Sequence, residues 1–180
     1  MIFDPFPVFL PSQYRVKFAT EAWEQREAAA LRRQVFCEEQ RIFVDDDCDE
    51  IDAVAIPIVA ISSFGVTLDG VVGTVRIHEA EPNVWWGSRL AVAADYRRIG
   101  ALGSSLVRLA VSSAHARGCR RFFAYVQSQN ALLFQRLHWT TIEEVEFHGR
   151  PHHFMQADLK HYPPFADAET GFLSLPKKAA

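Results

Sequence analysis

Apolar positions along the chain switch between two periods, and the switches mark out a mixed order of strands and helices. "YRVKFA" at 14–19 reads as a first strand, and from Thr20, taken as a cap, to about Glu39 the residues Trp23, Leu31, Val35 and Phe36 recur at helical spacing. The acidic stretch "RIFVDDDCDEID" at 41–52 breaks that stripe. The β-branched runs "AVAIPIVAISSF" (53–64) and "VVGTVRIHE" (71–79), separated by "GVTLDG", predict a hairpin, and "VWWGSRLAVA" (84–93) predicts a further strand. A second helix follows and stops at Gly118, because glycine takes the left-handed conformation that closes helices. "RRFFAYVQ" (120–127) is again a strand, and Asn130 to about Leu137 is a helix of no more than two turns. "TIEEVEFHGRPHHFMQADL" (141–159) supplies two strands around a turn at His148-Gly149-Arg150-Pro151. The order β-α-β-β-β-α-β-α-β-β predicts one domain over 14–160, a proline-punctuated arm at 1–13, and a tail at 161–180 with little structure of its own.

Composition narrows the classes. At 180 residues, 49% hydrophobic and 12% aromatic, the chain can bury one sizeable core. A formal net charge of -3 offers no concentrated basic surface for nucleic acid, and no apolar run reaches membrane-spanning length. Cys37, Cys48 and Cys119 are an odd set without C-x-x-C spacing, which argues against a disulfide framework or a zinc ribbon. The N-terminus lacks the basic start and long apolar segment of a signal peptide, so a cytoplasmic protein is expected. The acidic run Asp45, Asp46, Asp47, Asp49, Glu50 and Asp52 lacks the spacing of a calcium loop. It reads as a solvated loop, or as a field that draws in a cationic amine. His152 and His153 point to opposite faces of a strand, so no metal is expected. The same alternation sends one of Trp85 and Trp86 into the core and the other toward a cleft.

The stretch "DYRRIGALGSSLVRLA" (95–110) is the densest in candidate chemistry. A strand that runs through a glycine-containing turn into a helix places backbone N–H groups and the positive end of the helix dipole beyond the strand's carboxyl end. Arg97 and Arg98 add charge there; the alternative is an ordinary turn with solvated arginines. The stretch resembles the acyl-CoA pyrophosphate loop of the GNAT N-acetyltransferases, whose pattern is Gln or Arg, two residues, Gly or Ala, one residue, then Gly or Ala. Two registers are available, Arg97-Gly100-Leu102 and Arg98-Ala101-Gly103. In the family pattern the residue between the small ones, and those four and five positions on, are apolar. The second register supplies Leu102, Leu106 and Val107, whereas the first supplies Ala101, Ser105 and Leu106, so helical periodicity selects the second. Small residues matter because a larger side chain would hold a pyrophosphate away from the N–H groups. The preceding "LAVAADYR" resembles the family strand along which pantetheine lies. "LRRQVFCEEQRIFVDDDCDEIDAVA" and "FHGRPHHFMQADL" are similar to the ElaA-like subgroup, and these similarities run in order over most of 14–160.

The resemblance implies the GNAT fold: α/β, with a mixed central sheet of about six to seven strands flanked by helices. It also implies an N-acyltransferase that moves an acetyl group from acetyl-CoA to the primary amine of a small-molecule substrate, with no metal. Leu90, Ala91 and Val92 would meet the pantetheine, and a backbone N–H among them would polarise the thioester. Arg97, Arg98, Ile99, Gly100, Ala101, Leu102, Gly103 and Ser104 would form the pyrophosphate loop, with Asn130 and Phe134 on the short helix also at the cofactor. Phe134 stands where the family often has a proton-donating tyrosine, and His138 where it usually has glycine. Candidates for the base are Glu79, Glu39 and His78, beside Glu38 and His153, since a carboxylate or imidazole takes a proton directly or through water. Solvated positions are their alternative role. A rival chemistry is that of the acyl-homoserine-lactone synthases, similar in the "VF" helix and acidic segment, which use S-adenosylmethionine and a carrier-bound acyl group. A nonenzymatic CoA-binding module is a third reading, favoured by Phe134. Nucleic acid and membrane are not expected as partners, and a homodimer is left open.

Overall fold

The computed structural model describes residues 13–64, 67–99 and 101–174. Gly100 and the arm at 1–12 lie outside them. Strand β1 (Tyr14–Phe18) leads into helix α1 (Ala22–Arg33). The helix starts later than Thr20 because the Glu24 carboxylate accepts the Glu21 N–H at 3.0 Å, while Thr20 Oγ1 instead accepts a hydrogen bond from Lys17. Glu24 also pairs with Lys17 Nζ at 2.6 Å, both side chains buried. Past Arg33 the helix widens into a π turn, Gln34–Glu39, closed by the Gln40 N–H on the Val35 carbonyl.

Next come β2 (Ile56–Phe64), β3 (Thr67–Glu81) and β4 (Val84–Val92), then α2 (Leu102–Ala116), β5 (Arg121–Gln127) and α3 (Ala131–Arg136). β6 (Trp139–Phe147), β7 (Arg150–Ala157) and β8 (Phe172–Ser174) complete one sheet, in the order β6-β7-β5-β4-β3-β2-β1-β8. Eight strands exceed the six to seven expected, and the extra one comes from the expected tail. β8 pairs with β1, and Ser174 Oγ meets Ser105 Oγ of α2 at 2.8 Å. Tyr162 and Ala168 are buried on the way, which gives that segment apolar contacts to hold it down. Its last residues, 175–180, lie outside the described part.

Leu102, Leu106, Leu109, Ala110 and Val111 of α2 pack on Val16, Ile58, Val75, Ile77 and Trp85, forming the main core on one face of the sheet. The opposite face is covered by α1 and its π turn through Ala28, Leu31, Val35 and Phe36. Gly118 ends α2 with φ +89°, as its position required. The β6–β7 loop is tighter than expected, only His148-Gly149, both at positive φ, so Arg150 and Pro151 already belong to β7. His138, in place of the family's glycine, indeed adopts φ +65° just past α3, and its ring stacks on His161 at 3.6 Å.

One pairing in the sheet is short. β4 and β5 are parallel, matched only through Val84–Trp86 and Arg121–Phe123, after which β5 continues beside β7 alone. β4 carries an extra residue at this point: Thr74 faces Ala91 and Arg76 faces Ser88, so a bulge falls at Arg89 and Leu90. Arg89 has φ +57°, the left-handed backbone that lets the strand bend. Among the described residues no helix is long and apolar enough to cross a membrane.

Candidate active site

A cavity of about 670 Å³ opens where β4 and β5 part. It reaches both faces of the sheet: Val107, Phe122, Phe134 and Trp139 line it on the α2 side, and Phe36, Phe43, His78, Trp86 and Tyr125 on the α1 side. Trp85 is buried in the core while Trp86 lines the cavity, the split that strand alternation predicted.

Half of the acidic run is tied down: Asp47, Asp49 and Asp52 are ion-paired, while Asp45, Asp46 and Glu50 are exposed as a solvated loop leaves them. Asp47 takes Arg32 Nε at 2.7 Å and Arg89 Nε at 3.0 Å. Asp49 accepts both terminal nitrogens of Arg76 at 2.7 Å, and Asp52 bridges Arg32 and Arg76, each at 2.7 Å. Three guanidiniums thus face three carboxylates, and Arg76 and Asp47 have only 3% side-chain exposure. Hydrogen bonds from Arg76 hold the Asp49 carboxyl below its ordinary range. Burial pushes Asp52 upward, but hydrogen bonds from Arg32 and Arg76 outweigh it and leave that carboxyl well below the usual range. Arg89 also covers the Phe43 ring at 4.5 Å, and Arg76 Nε reaches Ser88 Oγ at 2.9 Å. The loop is thereby sewn to α1, β3 and β4. The sequence did hold one signal: Arg76 interrupts an apolar strand, where an arginine needs a partner.

Of the expected catalytic residues, only His78 lines the cavity. Arg76, His78 and Ala80 share one face of β3 and all line it, which turns Glu79 the other way. Glu79 is exposed and accepts the Asn83 N–H at 2.8 Å, closing the β3–β4 turn. Glu39 pairs with Arg97, whose Nε donates to the Val92 carbonyl at 2.9 Å. Glu38 is exposed, and His153 hydrogen-bonds Thr141. The Nδ1 of His78 is buried and has no hydrogen-bond partner among the described residues. Burial, assisted by Arg76, lowers its basicity, so the imidazole is neutral at pH 7. Cys48 also lines the cavity, but burial and Asp46 raise its thiol pKa, which disfavours the thiolate.

The expected cofactor residues divide by place. Leu90, Asn130 and Phe134 line the cavity; Phe134 is buried and meets Trp139 edge-on at 5.1 Å. Ala91 is buried and Val92 half-buried, on the part of β4 that pairs with β3 alone. Ile99 ends a short helical turn, Ala94–Ile99, that leads to α2. Arg97 and Arg98 are exposed, and Ala101 precedes α2 as its cap residue. Leu102, Leu106 and Val107 of the Arg98 register are all buried, and so are Ser105 and Leu106 of the Arg97 register. A Cβ built on Gly103 would meet nothing within 4 Å, so packing does not demand glycine there. Ser105 is the residue whose N–H reaches back to the Ala101 carbonyl, at 2.8 Å, so the N–H groups of Leu102, Gly103 and Ser104 precede the intrahelical ladder. Ser104 Oγ bonds the Ala101 carbonyl and lines a second, smaller cavity of about 250 Å³ with Arg108, Arg136 and His138.

A family model, "Acetyltransferase (GNAT) family", matches residues 18–139. No curated protein sequence matches the chain significantly. Among solved structures, a Lactobacillus plantarum protein superposes with TM-score 0.71 at 21% identity, covering 80% of this chain and 97% of that one. Escherichia coli ElaA gives 0.67 at 18% identity, over 81% and 98%. BjaI, a CoA-dependent acyl-homoserine lactone synthase solved with SAM and isopentyl-CoA, gives 0.59 at 17%, over 77% of each chain. At such identities the likeness to these structures is one of fold. With the family match spanning most of the chain, and the parted β4 and β5 at its centre, the protein belongs to the GNAT acetyltransferase family.

Proposed function

We propose that this protein is an N-acyltransferase that carries an acetyl group from acetyl-CoA to the primary amine of a small molecule. The observation that carries the reading is the parting of β4 from β5 beyond Trp86, which opens the cavity beside the strand that leads to the α2 N-terminus. The residues present suit the donor. Open space at Gly103, the unladdered N–H groups before Ser105 and the exposed Arg98 make a site for a pyrophosphate. The bound donor supplies an activated thioester.

The chain's own groups then divide the work. The Leu90 N–H, at the bulge, donates to the carbonyl oxygen as negative charge develops there. The neutral amine forms the new C–N bond as the C–S bond breaks, and its proton passes to the imidazole of His78, which lines the cavity, directly or through one water. The sulfur departs as the CoA thiolate; Phe134 has no proton to give it, so water supplies one. Arg97, held by Glu39 and Val92, keeps the turn in place rather than acting as the anchor.

A thermal-shift assay tests the binding step, and release of free CoA thiol with an amine present tests the transfer. Acetyl-CoA is expected to raise Tm where free pantetheine does not, with thiol release that needs no S-adenosylmethionine. No shift with acetyl-CoA would overturn the reading. Dependence on S-adenosylmethionine would favour the synthase-like chemistry, and binding without turnover over a wide amine panel would favour a nonenzymatic module.

A further inference from the structure

The α1 side of the cavity is walled by aromatic rings. Trp86 lies nearly parallel to Phe154, 5.6 Å away at 11°, and within 5.3 Å of Tyr125, which stacks on Phe147 at 4.8 Å and 19°. The rings come from four strands, β4, β5, β6 and β7, and stack against one another in a row whose exposed face, formed by the ring edges of Trp86, Tyr125 and Phe147, lines the cavity. Tyr125 and Phe147 are 43% and 38% exposed, so the face is open to a ligand that enters the cavity. Large rings left this exposed beside a cavity signal a binding surface. His78 faces Trp86 across the β3–β4 ladder, which sets the end of this wall beside the orphaned Nδ1.

Charge decides what the wall receives. The carboxylate lining the cavity is Asp49, and both its oxygens are taken by Arg76, with Arg89 as a further partner. Among the described residues, the other titratable groups lining it are Arg76, Arg89, Cys48, His78, Tyr125, His148 and His152, none of them an anion that could hold a second or third ammonium. A polyamine would leave its remaining charges uncompensated against apolar rings. A planar apolar group would pack against the ring edges and bury its surface with no such penalty.

We infer that the acceptor is an arylalkylamine: a primary amine joined by a short chain to an aromatic or similarly planar apolar group, with the ring on Trp86 and Tyr125 and the amine at His78. The inference rests on the acyltransferase reading, and the two fail differently. Steady-state kinetics of the full chain with acetyl-CoA would compare tryptamine and phenethylamine against spermidine. Catalytic efficiency is expected to be at least about ten-fold higher for the arylalkylamines. Trp86→Ala and Tyr125→Ala are each expected to raise KM for tryptamine about five- to ten-fold, with acetyl-CoA affinity by calorimetry within about two-fold of the parent. Trp86→Phe keeps a ring in the wall and should recover most of the loss. Tyr125 is exposed enough that its replacement tests the wall even if Trp86→Ala fails to fold. Preference for spermidine, no turnover of either arylalkylamine by protein that binds acetyl-CoA, or a tryptamine KM unmoved by Tyr125→Ala would overturn the assignment. Failure to bind acetyl-CoA would overturn the transferase reading beneath it.

Discussion

On one side of the parted strands, the turn before α2 draws its candidate groups from a single run, Arg97 to Ser104. On the other, Arg32, Asp47, Asp49, Asp52, Arg76 and Arg89 converge from α1, the acidic loop, β3 and β4. Arg97 and Arg98 are exposed and a Cβ at position 103 would meet nothing within 4 Å, whereas Arg32, Asp47 and Arg76 are buried and each of the three carboxylates has two partners. Groups of the first kind can be changed without unfolding the protein, because the fold does not lean on them. Groups of the second kind cannot, because removing one partner strands another's charge.

The largest expected effect follows from that difference. Asp47→Ala removes the shared partner of Arg32 and Arg89 and should lower stability by about 3–5 kcal/mol in urea denaturation. A loss below about 1 kcal/mol, the scale of a surface pair, would show that the cluster is not structural. The parent's pH dependence sharpens the point. Asp49 and Asp52 are held below their ordinary range, so their contribution is fully present above about pH 4 and is lost as pH falls through the lower folded values. Acid unfolding measured on Asp47→Ala should show a smaller loss over that window if the three carboxylates act together.

Within the turn itself, neighbouring residues should part company. Leu102→Ala is expected to cost about 2–5 kcal/mol, since its side chain is 1% exposed in the main core. Gly103→Ala should change stability by less than about 1 kcal/mol. Equal effects at the two positions in thermal melts would place the register wrongly. At the reaction centre, His78→Gln should lower kcat by about 10²–10⁴ with little change in fold. Because burial and Arg76 lower the pKa of His78, the parent's kcat should hold at neutral pH and fall only below about pH 6.5. A profile on which His78→Gln leaves that acidic limb in place would assign the limb to another group. The smallest effect is expected for Phe134→Tyr, which adds a hydroxyl at the cavity: turnover unchanged or raised, and a large loss would reveal an orienting role for the phenyl ring.

These two sides also differ in how far they were legible beforehand. The element order and the burial of Leu102, Leu106 and Val107 were readable because periodicity is local. So was the split between Trp85 and Trp86. The pairing of Asp47, Asp49 and Asp52 was not, since their partners lie up to dozens of residues away and a charge run alone looks solvated. The bulge at Arg89 left no mark either, as left-handed backbone at a non-glycine residue comes from tertiary context. β8 was missed because three residues are too few for a period, and its pairing with β1 depends on the far end of the chain. Glu79 looked suited to catalysis by sequence position, yet strand alternation turns it from the cavity; the same alternation, applied to Arg76 and His78, could have said so.

The central claim is that Arg98, Ala101 and Gly103 form the cradle for the acetyl-CoA pyrophosphate. Calorimetric titration of acetyl-CoA into the parent and into Arg98→Ala tests it most directly. The account predicts at least about ten-fold weaker binding for Arg98→Ala, about 1.4 kcal/mol, with unchanged Tm in the absence of ligand. Equal affinity in the two proteins would contradict it.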